Sequence, residues 1–359
     1  MTALQSDGRT VMPEIRICSF NVEWMNDWFT SDSEPAAFKP QFRDRDSSHL
    51  NDTDVTAKRT AAVIRAVDPD ILAIQEGPSR QSELELFVAK YLANDVGQPL
   101  YRVLLGDSGG AQKLGVLYKP ASVTGAGLAP HGDIVDLIDP WLSDVDGDAI
   151  LEEYRFTRTP LVVNLAFGQR QLQLIVAHTK SNFINNGKEM WNNPQQHQNY
   201  IVTALKDRRR ISAEAMRIRS YIDAVLARTS GANVIVLGDM NDGPGLDYFE
   251  KNFLTHNVVD ILFGSQFRPE WTFHHAQHDL PENERYTAIF DDFVEGIDNK
   301  HMLLDHILLS PGLSAGGLRK VPESGAVHHN EYSAQVVNGG AHREDRPSDH
   351  RPVSVRLRY

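Results

Sequence analysis

The chain has 359 residues, a formal net charge of −12 and one cysteine, Cys18. That length can bury a sizeable core unaided, the lone cysteine excludes an internal disulfide, and no run approaches the roughly 18–20 apolar residues of a membrane span. The acidic balance excludes the basic field of a repressor-like DNA binder, but it leaves phosphate chemistry open, because a bound metal inverts the electrostatics of a carboxylate-rich site.

Residues 1–13 are polar and lack an apolar signal-peptide region, so an extended or disordered N-terminus and a cytoplasmic location are expected. Ile15–Phe20 reads as a strand, and residues 30–54 read as a polar loop. Val55–Val67 has helical composition, with Thr53 or Asp54 available as a cap. Ile71–Gln75 is a second strand, and Ser82–Tyr91 a second helix. Tyr101–Leu105 and Leu114–Tyr118 read as strands about a Gly-rich turn, and Leu161–Leu165 with Leu172–Ala177 as a hairpin around Gly168. Ile211–Ala227 is the clearest amphipathic helix, with Ile211, Ala215, Ile218, Ile222 and Val225 at 3–4 spacing. Val234–Gly238, Leu303–Leu309 and Val353–Leu357 complete the strands. Wholly apolar strands are covered on both faces, and hairpins beside strand–helix–strand units imply an α/β fold with mixed sheet. Residues 14–359 read as one domain, with 179–210, 264–300 and 322–348 as decorated loops.

Polar residues recur where these strands end. Asn21 follows the first strand, Glu76 the second, and His178 and then Lys180 follow LQLIVA. Asp239 and Asn241 follow VIVLG; Asp305 and His306 lie in the strand near 303–309; Asp349 and His350 precede the last strand. One such residue is ordinarily a turn or a cap. Repetition across the core strands places them on one rim, where α/β sheets hold ligands. Carboxylate and amide oxygens suit Mg²⁺ or Mn²⁺, and neither a cysteine cluster nor His-Glu-x-x-His is present for zinc.

SFNVEW, AIQEGP, AHTKSN, VLGDMND, LLDHILLS and PSDHRP follow in that order. Across about residues 15–357 the set resembles the endonuclease/exonuclease/phosphatase superfamily of metal-dependent phosphoesterases. The resemblance implies a four-layer α/β/β/α sandwich, with two mixed β-sheets face to face and helices outside. It implies Mg²⁺ or Mn²⁺ held by Glu76 with Asn21 and Asp349 beside it. Asp239 would orient or deprotonate the attacking water, and Asn241 would hold the phosphate or the water. His350 would donate to a non-bridging oxygen, oriented by Asp305, and His178 would serve the leaving oxygen. Arg158, in TRTPLVV, matches an Arg-x-Pro of many members, and Arg158 and Lys180 are the candidate substrate-binding residues. A phosphodiester of nucleic acid is the first expectation for the substrate; a small phosphoester or lipid headgroup is the alternative, and an inactive binding module a third.

Other features have two readings. Glu23 and Asp27 could assist a second metal or be solvated. Trp24, Trp28 and Phe29 could wall a cleft or form a hydrophobic cluster. His306 points away from Asp305 in a regular strand, which makes it structural. His274, His275 and His278, like His328, His329 and His342, read as solvated loop residues. Arg208–Arg210 reads as phosphate contacts or as an exposed helix start.

Overall fold

The computed structural model describes residues 12–359 apart from positions 32, 46, 246 and 254–256. The expectation for the N-terminal tail falls almost entirely on residues 1–11, outside the described residues. In chain order, the strands of the two large sheets begin with β1 (Glu14–Asn21), β2 (Ile71–Gly77), β3 (Arg102–Leu105) and β4 (Lys113–Tyr118). There follow β5 (Gly125–Leu128), β6 (Leu161–Phe167), β7 (Arg170–His178), β8 (Val234–Asp239) and β9 (His274–His275). The last are β10 (Asp305–Leu309), β11 (Arg319–Lys320), β12 (Ala326–Val327) and β13 (Val353–Arg358). The outer helices that matter most are α1 (Thr53–Val67), α2 (Gln81–Tyr91) and α3 (His197–Arg228).

One sheet runs β11-β13-β1-β2-β4-β3, with β12 also on β13; the other runs β9-β10-β8-β7-β6-β5. Each is mixed: β1 is parallel to β2 and antiparallel to β13, and β7 is parallel to β8 and antiparallel to β6. Strand alternation builds the layers. Ile15, Ile17, Ile71, Ala73, Leu174, Val176, Ile235, Leu237, Ile307 and Leu309 fill the space between the sheets. The opposite face of the first sheet, with Cys18, Phe20, Leu72 and Ile74, packs on Ala57, Ile64, Leu84 and Phe87 of α1 and α2. The opposite face of the second, with Ile175, Val234 and Val236, packs on Ile211, Ala215, Ile218 and Ile222 of α3. The chain therefore folds as the four-layer sandwich.

Three local readings are corrected. The cap of α1 is Asp52, whose carboxylate accepts from the Val55 amide at 3.0 Å, so neither Thr53 nor Asp54 serves. Helix α3 begins at His197, not Ile211. Its first turns are polar because they bury only a narrow stripe, Tyr200 and Ala204 against Phe249, which is too sparse for a strong periodic signal. Arg208–Arg210 therefore lies inside a helix, where Asp247 binds Arg208, Asp146 binds Arg209 and Glu214 faces Arg210. The stretch 264–300 is not all loop, since strands Ala288–Asp292 and Ile297–Met302 pair as a hairpin.

Gly238, one residue before the end of β8, has φ 138°, and a Cβ there would lie 1.9 Å from the Ala177 carbonyl oxygen of β7. The obstacle is backbone and cannot rotate away. We expect Gly238→Ala to destabilise the fold by about 2 kcal/mol or more, read as a lower urea midpoint; an unchanged midpoint would contradict this account of β8.

Candidate functional site

The period-2 pattern that fills the inter-sheet space continues past its apolar part. Ile15, Ile17 and Ser19 lead to Asn21; Leu174 and Val176 lead to His178; Ile235 and Leu237 lead to Asp239; Leu309 and Ile307 lead back to Asp305. The site is thus the polar end of the core itself. Register brings the groups level, with His178 opposite Asp239 and Asp239 opposite Asp305.

Glu76 breaks this phase. Regular alternation would send it toward the helices with Leu72 and Ile74. A register shift between Ile74 and Gly77, with Glu76 at φ 57°, turns it onto the rim instead. Its carboxylate there accepts from Asn21 Nδ2 at 3.3 Å, the Trp24 amide at 2.9 Å and Gln112 Nε2 at 2.7 Å. Asn241 is likewise left-handed, at φ 50°. Backbone strain of this kind concentrates at functional sites, where the surroundings must hold it.

Asp239 is the hub. Its Oδ2 accepts from Asn21 Nδ2 at 2.9 Å and its Oδ1 from the Asn241 amide at 2.9 Å. His178 Nε2 lies 3.5 Å and His350 Nε2 3.8 Å from Oδ2. His350 Nδ1 donates to Asp305 Oδ2 at 2.7 Å. Ser348 fixes the approach of that histidine: its Oγ donates to the Asn21 carbonyl at 2.7 Å and accepts from the His350 amide at 3.1 Å.

Burial and charge then set protonation. Burial works against a charge on His350, but Asp305, Asp239 and Asp349 outweigh it and raise its pKa well above the ordinary value. Burial, reinforced by Arg158 and His350, lowers the pKa of His178 well below the ordinary value. Burial raises Asp239, with the charge of His350 opposing. Glu76 is pushed up to about 7 by burial and by the charge of Asp349. Asp239, Asp305 and His350 lie close enough to share an ion. Glu76, Asn21 and Asp349 are a second set that could hold one. These are hard oxygen donors, and Glu76 and Asp349 repel one another.

The loop after β8 is held by its carbonyls. Asp239 O accepts from the Thr179 amide at 3.2 Å, Met240 O from Thr179 Oγ1 at 2.5 Å, and Asn241 O from Asn182 Nδ2 at 2.8 Å. Asp242 O accepts from His306 Nε2 at 2.8 Å and Gly243 O from Asn257 Nδ2. The His306 bond is the end of a relay. The Gln277 amide donates to His275 Nδ1 at 3.1 Å, which leaves the proton on Nε2 to be given to His306 Nδ1 at 2.9 Å. Sequence reasoning missed Thr179, Asn182, Asn257, Gln112 and Ser348. Of these, Thr179, Asn182 and Ser348 stand inside the motifs AHTKSN and PSDHRP, which was the available signal.

Other sequence candidates sort clearly. Arg158 gives Nη1 to the Thr179 carbonyl at 3.1 Å and Nη2 to Gln112 Oε1 at 3.2 Å, beside the site. Lys180 is drawn off by Asp207 at 3.2 Å and by the Ser181 carbonyl, and does not join the cluster. Glu23 is bound by Arg343 and Arg346, and Asp27 by Arg45, which leaves neither poised for a second metal. Trp28 and Phe29 are core, whereas Trp24 lines the cleft with Arg45 over its ring. His275 and His328 are buried, not solvated, because each ring finds a partner, His306 and Ser354 respectively.

Removing the His306 ring would leave the Asp242 carbonyl and the His275 N–H unpaired, each costing about 1–3 kcal/mol when buried. We expect His306→Leu to lower stability by at least about 2 kcal/mol. The double variant with His275→Leu should fall short of the sum by about 1 kcal/mol; additive urea midpoints would argue against the relay.

The Endonuclease/Exonuclease/phosphatase family model matches residues 18–350. No curated protein matches the chain in sequence. Among solved structures, truncated TDP2 of Caenorhabditis elegans is similar with a TM-score of 0.52 and 14% identity, covering 96% of this chain and 98% of that one. An endonuclease/exonuclease/phosphatase of Bacteroides vulgatus gives 0.51 and 13%, covering 96% and 98%. At such identity these likenesses show the fold, and the family match carries the rest. The chain belongs to the endonuclease/exonuclease/phosphatase family and is a metal-dependent hydrolase of phosphoric ester bonds.

Proposed function

We propose that this hydrolase acts on a phosphodiester of nucleic acid by direct attack of water, with Mg²⁺ or Mn²⁺ at Glu76, Asn21 and Asp349. The observation that carries the reading is the meeting of one carboxylate, Asp239, with two histidine rings, 3.5 and 3.8 Å away, whose pKa values burial and neighbouring charge move in opposite directions. When bound, the metal supplies Lewis-acid stabilisation of charge on the phosphoryl oxygens.

The protein groups divide the remaining work. Asp239, anchored by Asn21 and the Asn241 amide, holds the water and takes its proton as the new P–O bond forms. His350, kept cationic and aimed by Asp305, donates Nε2–H to a non-bridging oxygen, where charge builds. His178 is neutral, and its Nε2 faces the same carboxylate oxygen, so it hydrogen-bonds the oxygen that departs as the old P–O bond breaks, and solvent supplies that oxygen's proton. No group in the set is placed as a covalent nucleophile, so no phospho-enzyme is required.

The cleft supports a polymeric substrate over a small one. It encloses about 2030 Å³, against roughly 300–1,000 Å³ for a typical small-molecule pocket. Its walls include the hairpin of residues 288–302 and the segment after β8. Among the described residues, no helix is long and apolar enough to cross a membrane.

Two outcomes test this reading. Asp239→Asn and His350→Ala should each lower kcat on a single-stranded oligonucleotide by on the order of 10²–10³, and EDTA should abolish turnover; undiminished activity in any arm would overturn the mechanism. In thermal melts, Mg²⁺ should raise the Tm of the unmodified protein. Glu76→Gln should raise the metal-free Tm, because it relieves repulsion with Asp349, while eliminating the Mg²⁺-dependent rise; a full Mg²⁺ response in that variant would remove Glu76 from the ligand set.

A further inference from the structure

The cations lining the cleft are nearly all committed elsewhere. Arg45 is bound by Asp27, Arg208 by Asp247, Lys251 by Glu295, and Lys300 by Asp292 and Glu295. Arg343 and Arg346 are bound by Glu23. The Arg285 guanidinium donates to the carbonyls of Leu280 and His278. Arg158 is held by Thr179 and Gln112.

Arg351 differs. It follows His350 directly and lines the same cleft. Among the described residues its guanidinium has no carboxylate or carbonyl partner, and its Nε is buried without an acceptor. It is nonetheless held in place. Its guanidinium carbon lies over the rings of Tyr286, at 4.8 Å, and Tyr332, at 4.6 Å. The Tyr332 hydroxyl is fixed by donation to the Ser348 carbonyl at 2.6 Å, and the Arg351 amide donates to the Thr287 carbonyl at 2.7 Å. A guanidinium positioned by two rings and lacking an acceptor is a preorganised receptor for an oxyanion. The half-exposed ring of Phe290 stands at the mouth, 6.2 Å from the His350 ring, and offers an aromatic face to a base beside that anion.

We infer that Arg351 is a substrate-binding residue for a second phosphate, next to the one being hydrolysed, and that it selects substrates carrying such a neighbour over isolated phosphoesters. This rests on the phosphodiesterase reading for its substrate class, but binding can test it alone. The probe is a fluorescent dinucleotide with or without a terminal 5′-phosphate, titrated by anisotropy with Mg²⁺ present, in an Asp239→Asn background that suppresses turnover. The terminal phosphate should tighten binding about tenfold or more when Arg351 is present, and by little in Arg351→Ala. Arg351→Lys, which keeps the charge but not the planar fork, should recover part of the gain, and melts will confirm that each variant is folded. A phosphate contribution equal with and without Arg351 overturns the subsite, as does an equal loss of binding for both probes. Turnover of a single-stranded oligonucleotide by the unmodified protein with Mg²⁺ is read separately; its absence would sink the phosphodiesterase reading while leaving the binding difference to decide the role of Arg351.

Discussion

The site depends on an uneven balance of buried charge. Asp239 and Asp305 lie directly opposite on adjacent strands, an arrangement that is unfavourable for like charges. The proton on His350 offsets that pair, bonded to one carboxylate and facing the other. Glu76 and Asp349 repel one another in turn, although the charges of Arg343, Arg346 and His350 act on Asp349. The charge of Arg158 eases Glu76 but does not suffice, because burial and Asp349 still push the Glu76 carboxyl up to about 7. Glu76 is therefore left short of positive charge. A divalent cation bound beside Glu76 would let its carboxylate ionise.

The sandwich explains why residues this far apart in sequence can share that balance. Each strand carries apolar side chains into the inter-sheet space at every second position, and the same face continues into Asn21, His178, Asp239 and Asp305. These groups inherit the rigidity of a close-packed core. The exceptions are equally informative. Glu76 and Asn241 reach the site only through left-handed backbone, and each is pinned: Glu76 by three donors to its carboxylate, and the Asn241 segment by donors to successive carbonyls. The strain is balanced locally.

What was legible in the sequence follows the same division. Apolar period-2 strands reveal themselves, so the strand ends, and with them Asn21, His178, Asp239, Asp305 and His350, could be read from patterning and short motifs. The turn that re-aims Glu76 could not, because nothing in ILAIQEG announces a register shift; its position after the strand and its suitability as an oxygen ligand were legible, its direction was not. The first turns of α3 were lost because a helix burying only Tyr200 and Ala204 has little periodic signal. The His275–His306 relay was lost for a different reason: a histidine in a polar stretch looks solvated until a partner 31 positions away is known. Lys180 shows the converse failure, since adjacency to a site motif says nothing about which carboxylate, here Asp207, claims the charge.

The net charge of −12 now has a more specific meaning. Proteins that track nucleic acid non-specifically gain affinity by releasing counter-ions through many unpaired basic side chains. In this cleft, Arg45, Arg208, Lys251, Lys300, Arg343 and Arg346 are already neutralised by neighbouring carboxylates, so they hold loops in place instead of offering a phosphate track. In the function proposed above, attraction to a phosphate substrate comes from a few concentrated points: Glu76 with its metal, His350, and Arg351, whose guanidinium has no acceptor among the described residues. In that reading the surface binds through short-range contacts at one phosphate and its neighbour. Its acidic exterior is then compatible with a phosphate-cleaving site, because repulsion elsewhere discourages long polyanions from settling away from the rim.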